Sequence, residues 1–165
     1  MKPTRRQVLI GGTLASGVLA VGAGIYLPGP AAGRGVLSKG ELAVVGALAA
    51  VMFPPGNALG VDADQADVPH RVDALLVDTI DPTMARSFRY LLRGIEWGTV
   101  ALAGSRFTRC SLEKRQELMA RWDQPTSWVG RVTGASVRAV LGMAYFNHPD
   151  VLDAVGWRVG GRLGT

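Results

Sequence analysis

In five stretches between Ser38 and Phe146 apolar residues recur every three or four positions, and no segment alternates convincingly at period two. Helices are then the only regular elements that can bury one face of this chain. An all-α domain is expected, a single compact bundle of about five helices behind an N-terminal signal segment. Ser38-Lys39-Gly40-Glu41 has the form of a capping box, so a helix should start there and run to about Phe53, before Pro54-Pro55-Gly56. Gly56 to Asp67 is polar and aperiodic and reads as a loop. Asp67 with Pro69, and Asp81 with Pro82, set a capping residue beside a first-turn proline, which predicts helices from Val68 to Ile80 and from Pro82 to Ala103. Gly104 suits the end of the latter, and Ser111 can cap a helix from Leu112 to Trp122. In that segment Arg115 falls among apolar positions, where its long stem can still reach water. A last helix, from Ser127 to Phe146, is apolar around most of its circumference apart from Arg131 and Arg138, and is expected to be the central, most buried one.

On a helical wheel of the Pro82 to Ala103 segment, Met84, Phe88, Leu91, Leu92, Ile95 and Leu102 fall within an arc of roughly 100°, with Arg86, Arg89, Arg93 and Glu96 opposite. Tyr90 and Trp97 lie beside Arg86 and Arg93 on the side otherwise assigned to water. Aromatics with arginine on an outward face have the composition of an interface hot spot, so Arg86, Tyr90, Arg93 and Trp97 are the candidate partner-binding residues. Cover by another helix of the same domain accounts for them equally well.

The N-terminus has a different character. Thr4-Arg5-Arg6-Gln7-Val8-Leu9 fits the twin-arginine pattern, with Arg5, Arg6 and Leu9 as its recognition residues, and an uncharged, glycine-rich stretch follows to Leu27. A membrane anchor of about 20 apolar residues with a basic flank is the competing reading. No Ala-x-Ala follows the stretch, so whether it is cut or kept stays open. The expected organisation is a signal and linker over 1–33, a helical domain over 34–157 and a short Arg/Gly-rich tail over 158–165. Of the formal charge of +5, Lys2, Arg5 and Arg6 account for three, and the remainder carries 15 basic and 13 acidic groups. A net +2, without basic runs interleaved with aromatics, argues against nucleic acid. The aspartates Asp62, Asp64, Asp67, Asp73, Asp78 and Asp81 read as caps and solvated faces.

Chemistry-bearing patterns are sparse. His70 and His148 stand in no metal-ligand spacing, and the single cysteine, Cys110, excludes both an internal disulfide and a Cys-x-x-Cys-His haem site. Cys110 reads as a core or idle surface residue. Gly11-Gly12 and Gly160-Gly161 open no strand-to-helix unit, so no nucleotide fingerprint is present. Asp62/Asp64 and Glu113/Glu117 read as solvated pairs rather than acid–base dyads. His148, before Pro149, is expected at a helix end, donating to terminal carbonyls. No catalytic, cofactor-binding or metal-binding residue is expected in this chain.

Several features in order resemble a known family: Thr4-Arg5-Arg6-Gln7-Val8-Leu9; Leu37-Ser38-Lys39-Gly40-Glu41 leading to Val51-Met52-Phe53-Pro54; the aspartate-rich loop before Val68-Pro69-His70; Phe107-Thr108-Arg109-Cys110-Ser111-Leu112-Glu113-Lys114-Arg115-Gln116; and Tyr145-Phe146 through Pro149 to Val155-Gly156-Trp157. Together they resemble the small subunit, subunit 3, of gluconate 2-dehydrogenase-like flavoenzymes. The resemblance implies a non-catalytic escort that binds a glucose-methanol-choline (GMC)-type flavoprotein acting on a sugar or alcohol, assists its maturation and lends it a twin-arginine signal. FAD is then expected in the partner, a multi-haem cytochrome c is a further candidate partner, and the twin-arginine translocase is the export route. The implied place is the periplasm or the outer side of the cytoplasmic membrane. The alternatives are a free-standing periplasmic enzyme or small-ligand binder using a pocket near His70 or His148, and a membrane-tethered structural protein.

Overall fold

A computed structural model describes residues 29–31, 35–124 and 127–157. The twin-arginine residues Arg5, Arg6 and Leu9 and the tail 158–165 lie outside the described residues. These form six helices: α1 (Lys39–Met52), α2 (Val68–Asp78), α3 (Pro82–Ala103), α4 (Leu112–Ala120), α5 (Trp128–Phe146) and α6 (Pro149–Val155), with 3₁₀ turns at Phe107–Arg109 and Arg121–Asp123. No strand occurs among the described residues, in keeping with the all-α expectation.

Local chemistry sets most boundaries. The capping box forms: Ser38 Oγ accepts from the Glu41 amide at 3.3 Å, and the Glu41 carboxylate accepts from the Ser38 amide at 2.8 Å. Asp81 accepts from the Thr83 amide at 2.8 Å, Ser111 from Lys114 at 3.3 Å and Ser127 from Gly130 at 3.0 Å. Gly104 ends α3 at φ 71°, the left-handed region where a side chain is disfavoured.

Two end assignments differ from expectation. Asp67 precedes α2 with φ 47° and makes no capping bond; its carboxylate instead holds His70 Nδ1 at 2.6 Å. His148 begins α6 rather than ending a helix, its Nδ1 accepting from the Asp150 amide at 3.2 Å. With only seven residues, α6 is too short to declare itself by periodicity.

The core is built around α1, which packs against α2, α3, α4 and the first 3₁₀ turn. Val45, Leu48, Val68, Val72, Leu92, Phe107, Val137, Leu141 and Tyr145 are fully or almost fully buried, and such side chains are worth about 1.5–3 kcal/mol each in transfer free energy. Cys110 is a buried thiol of this core, its Sγ 3.2 Å from Ser105 Oγ. The expectation that the Trp128–Phe146 helix would be central fails: α5 packs chiefly on α2, the second 3₁₀ turn and α6. Alanines let α1 bring its neighbours close, so the small helix takes the middle and one side of the more apolar α5 stays outside.

The segment entering α1 is clamped. Asp73, expected among solvated aspartates, is 9% exposed and accepts from the amides of Val36 and Leu37, both at 2.8 Å. A methyl group on Gly35 would collide with the Asp73 carboxylate, so glycine is needed for this approach. Arg115 turns inward rather than to water and donates to the carbonyls of Phe107 and Thr108, bracing the 3₁₀ turn.

Candidate partner interface

The four residues singled out on α3 divide between surface and interior. Arg86 and Trp97 are exposed, Tyr90 and Arg93 half-buried. The arginine side of the helix turns toward a buried carboxylate. Glu41 on α1, 3% exposed, accepts from Arg89 Nε and Nη2, both at 3.1 Å, and from Arg93 Nε at 3.3 Å, besides the Ser38 amide and hydroxyl. Two guanidiniums and a cap compensate the desolvated charge, the condition for a carboxylate to sit there. Glu96 is likewise engaged, by the Thr108 amide at 3.0 Å and hydroxyl at 2.7 Å. The face expected to be solvated is therefore a polar seam joining α3 to α1 and to the 3₁₀ turn. Conversely, Met84 and Leu102, placed on the core arc by the wheel, are 68% and 42% exposed, because the ends of this 22-residue helix outrun the core.

Trp97 remains outward at 55% exposure, with the Arg106 guanidinium stacked 3.9 Å above the ring centroid. Nothing in the α3 pattern identified Arg106, which reaches Trp97 from the loop after Gly104. A cleft of about 460 Å³ opens beside the pair, between residues 29–31, the first turn of α1 and the side of α3 carrying Leu92, Arg93 and Glu96. A second, smaller cleft lies between α2 and the end of α5, bordered by Arg71, Asp78, Met143 and Asn147. His70 and His148 line neither cleft. Among the described residues, no three His, Cys, Asp or Glu side chains gather as metal ligands, and no helix is long and apolar enough to cross a membrane.

An exposed apolar stripe runs along α5. Trp128 at 69%, Val132 at 47%, and Met143 and Phe146 at 49% exposure align with exposed Ala135 and Ala139 on one side of the helix. The opposite side, with Val137, Leu141 and Tyr145, is buried, and the Tyr145 hydroxyl donates to the Val61 carbonyl at 2.5 Å. Sequence reasoning found the signal, apolarity around most of the circumference, but took it as cover supplied within this domain.

A family model described as gluconate 2-dehydrogenase subunit 3 matches residues 39–159, and the chain belongs to that family. No curated protein and no solved structure matches the chain.

Proposed function

We propose, with that membership as premise, that the chain is the non-catalytic small subunit of an exported, FAD-dependent GMC-type dehydrogenase acting on a sugar or alcohol. In this reading the flavoprotein subunit holds the FAD and the chemistry. The helical domain holds the flavoprotein, and the twin-arginine segment around Arg5 and Arg6 carries both across the cytoplasmic membrane to the periplasmic side. A multi-haem cytochrome c is a candidate third subunit that receives the electrons.

The family match over residues 39–159 carries this reading. The structure adds support in the form of apolar surface that its own described residues leave uncovered: Trp97 on α3 and Trp128, Val132, Met143 and Phe146 on α5. Subunits of stable complexes carry such surfaces, whereas monomers seldom expose them in continuous stripes. Replacing Arg5 and Arg6 together by lysine tests the export half. Both this chain and the flavoprotein should then stay in the cytoplasm; periplasmic flavoprotein in the double variant would defeat the escort role.

A further inference from the structure

We propose that the side of the domain carrying Lys39, Trp97 and Arg106 rests on the lipid headgroups at the outer face of the cytoplasmic membrane for as long as the N-terminal segment is attached; this rests on the reading above that the segment enters that membrane. Gln7 to Leu27 supplies 21 uncharged residues, about the number that crosses a bilayer, with Lys2, Arg5 and Arg6 left on the inner side. A span of that length ends at Leu27, at the outer edge of the hydrocarbon. Pro28 alone separates Leu27 from Gly29, so at most about 7 Å of chain joins the two, roughly the depth of one headgroup layer. Gly29 is thereby held at the membrane surface.

The connection is fixed as well as short. The Ala31 amide donates to the Leu37 carbonyl at 2.8 Å, and the Leu37 amide donates to the buried Asp73 carboxylate at 2.8 Å. Pro30, between Gly29 and Ala31, has its φ locked by its ring. The domain therefore does not swing on a loose tether, and the side on which residues 29–31 lie is the side turned to the bilayer.

That side has the side chains a headgroup layer accepts. Gly29, Pro30 and Ala31 line the cleft of about 460 Å³ together with Lys39, Trp97 and Arg106. Lys39 is exposed at the first turn of α1, and Trp97 stands outward with the Arg106 guanidinium stacked 3.9 Å above its ring centroid. Tryptophan is enriched where a protein meets headgroups, and lysine and arginine can donate to headgroup phosphates. The two carboxylates of the cleft are engaged within the domain, Glu41 by Arg89 and Arg93, and Glu96 by the Thr108 amide and hydroxyl. No residue of α5 lines this cleft. Trp97 then belongs to the lipid side, and the α5 stripe remains for the flavoprotein.

The test reconstitutes the purified full chain into vesicles of phosphatidylethanolamine and phosphatidylglycerol and records tryptophan emission with a quenching group carried near the headgroup end of the lipid chains. The chain has four tryptophans, Trp97, Trp122, Trp128 and Trp157, and Trp97 should supply most of the quenched emission. Trp97→Phe should lower the quenched fraction about twofold or more with unchanged helicity, whereas Trp128→Phe and Trp157→Phe should leave it as in the native chain. Lys39→Glu combined with Arg106→Glu should lower it in the same direction while the chain stays on the vesicles. Quenching that is absent from the vesicle-bound native chain, or that survives Trp97→Phe, overturns this surface and leaves the membrane entry of the N-terminal segment intact. If the full chain does not associate with the vesicles at all, both the membrane entry and this surface fail. Loss of the Trp97 quenching when the flavoprotein is added to the same vesicles assigns the patch to the flavoprotein and likewise overturns the proposal.

Discussion

Glu41 shows how one residue can decide the arrangement of several others. As N3 of a capping box it was legible in the sequence; as the buried anion that collects Arg89 and Arg93 it was not, because a wheel of α3 contains no information about a carboxylate on α1. Glu41→Ala removes the acceptor that both guanidiniums and the Ser38 amide share. It is expected to lower stability by about 3 kcal/mol, measured by urea unfolding, while Glu113→Ala on a solvated face changes little. His70 gives a pH signature. The hydrogen bond that His70 Nδ1 donates to the Asp67 carboxylate, and next the charge of that carboxylate, hold His70 above the ordinary histidine value. A raised folded-state pKa contributes stability that is complete below the unfolded value, near pH 6.5, and is lost as pH rises through the folded one. Both groups are largely exposed, so the effect is small. The melting temperature of the native chain should fall slightly relative to His70→Gln between pH 5.5 and pH 8.5, and parallel curves would contradict this assignment.

At the scale of elements, the starts and stops of the longer helices were readable because Ser38, Asp81, Gly104, Ser111 and Ser127 act through bonds to near neighbours in sequence. Layering was not readable. An apolar circumference states that a helix is covered on all sides but not by what, so α5 was expected at the centre of a domain that α1 in fact organises. On α3 the same limit applied in reverse: Arg93 was assigned outward and its guanidinium turns in to Glu41, while Trp97 was assigned outward and gained Arg106 as a stacking partner. Trp97→Ala should cost less than about 1 kcal/mol in stability, since an exposed cation–π pair contributes no more than that. If α3 shares in the interface, the same change should weaken partner binding by about 2 kcal/mol, read by titration of the flavoprotein onto the immobilised small subunit.

For the whole molecule, the all-α class was legible from the three-to-four-residue spacing of apolar positions, and the family from the order of weak motifs, each too short to carry the inference alone. The described chain brings together no constellation of metal ligands, and the two histidines stay apart from both clefts. What it offers is surface: an uncovered apolar stripe on α5 and the outward Trp97 of α3 beneath Arg106. These suit a part whose work is to hold another protein. The account is tested most directly by purifying the tagged full chain from its own host under mild conditions and recording the absorption spectrum of the eluate. It predicts a flavin spectrum with the flavoprotein present in equimolar amount; a colourless eluate containing a soluble, stable monomer of this chain alone would contradict it.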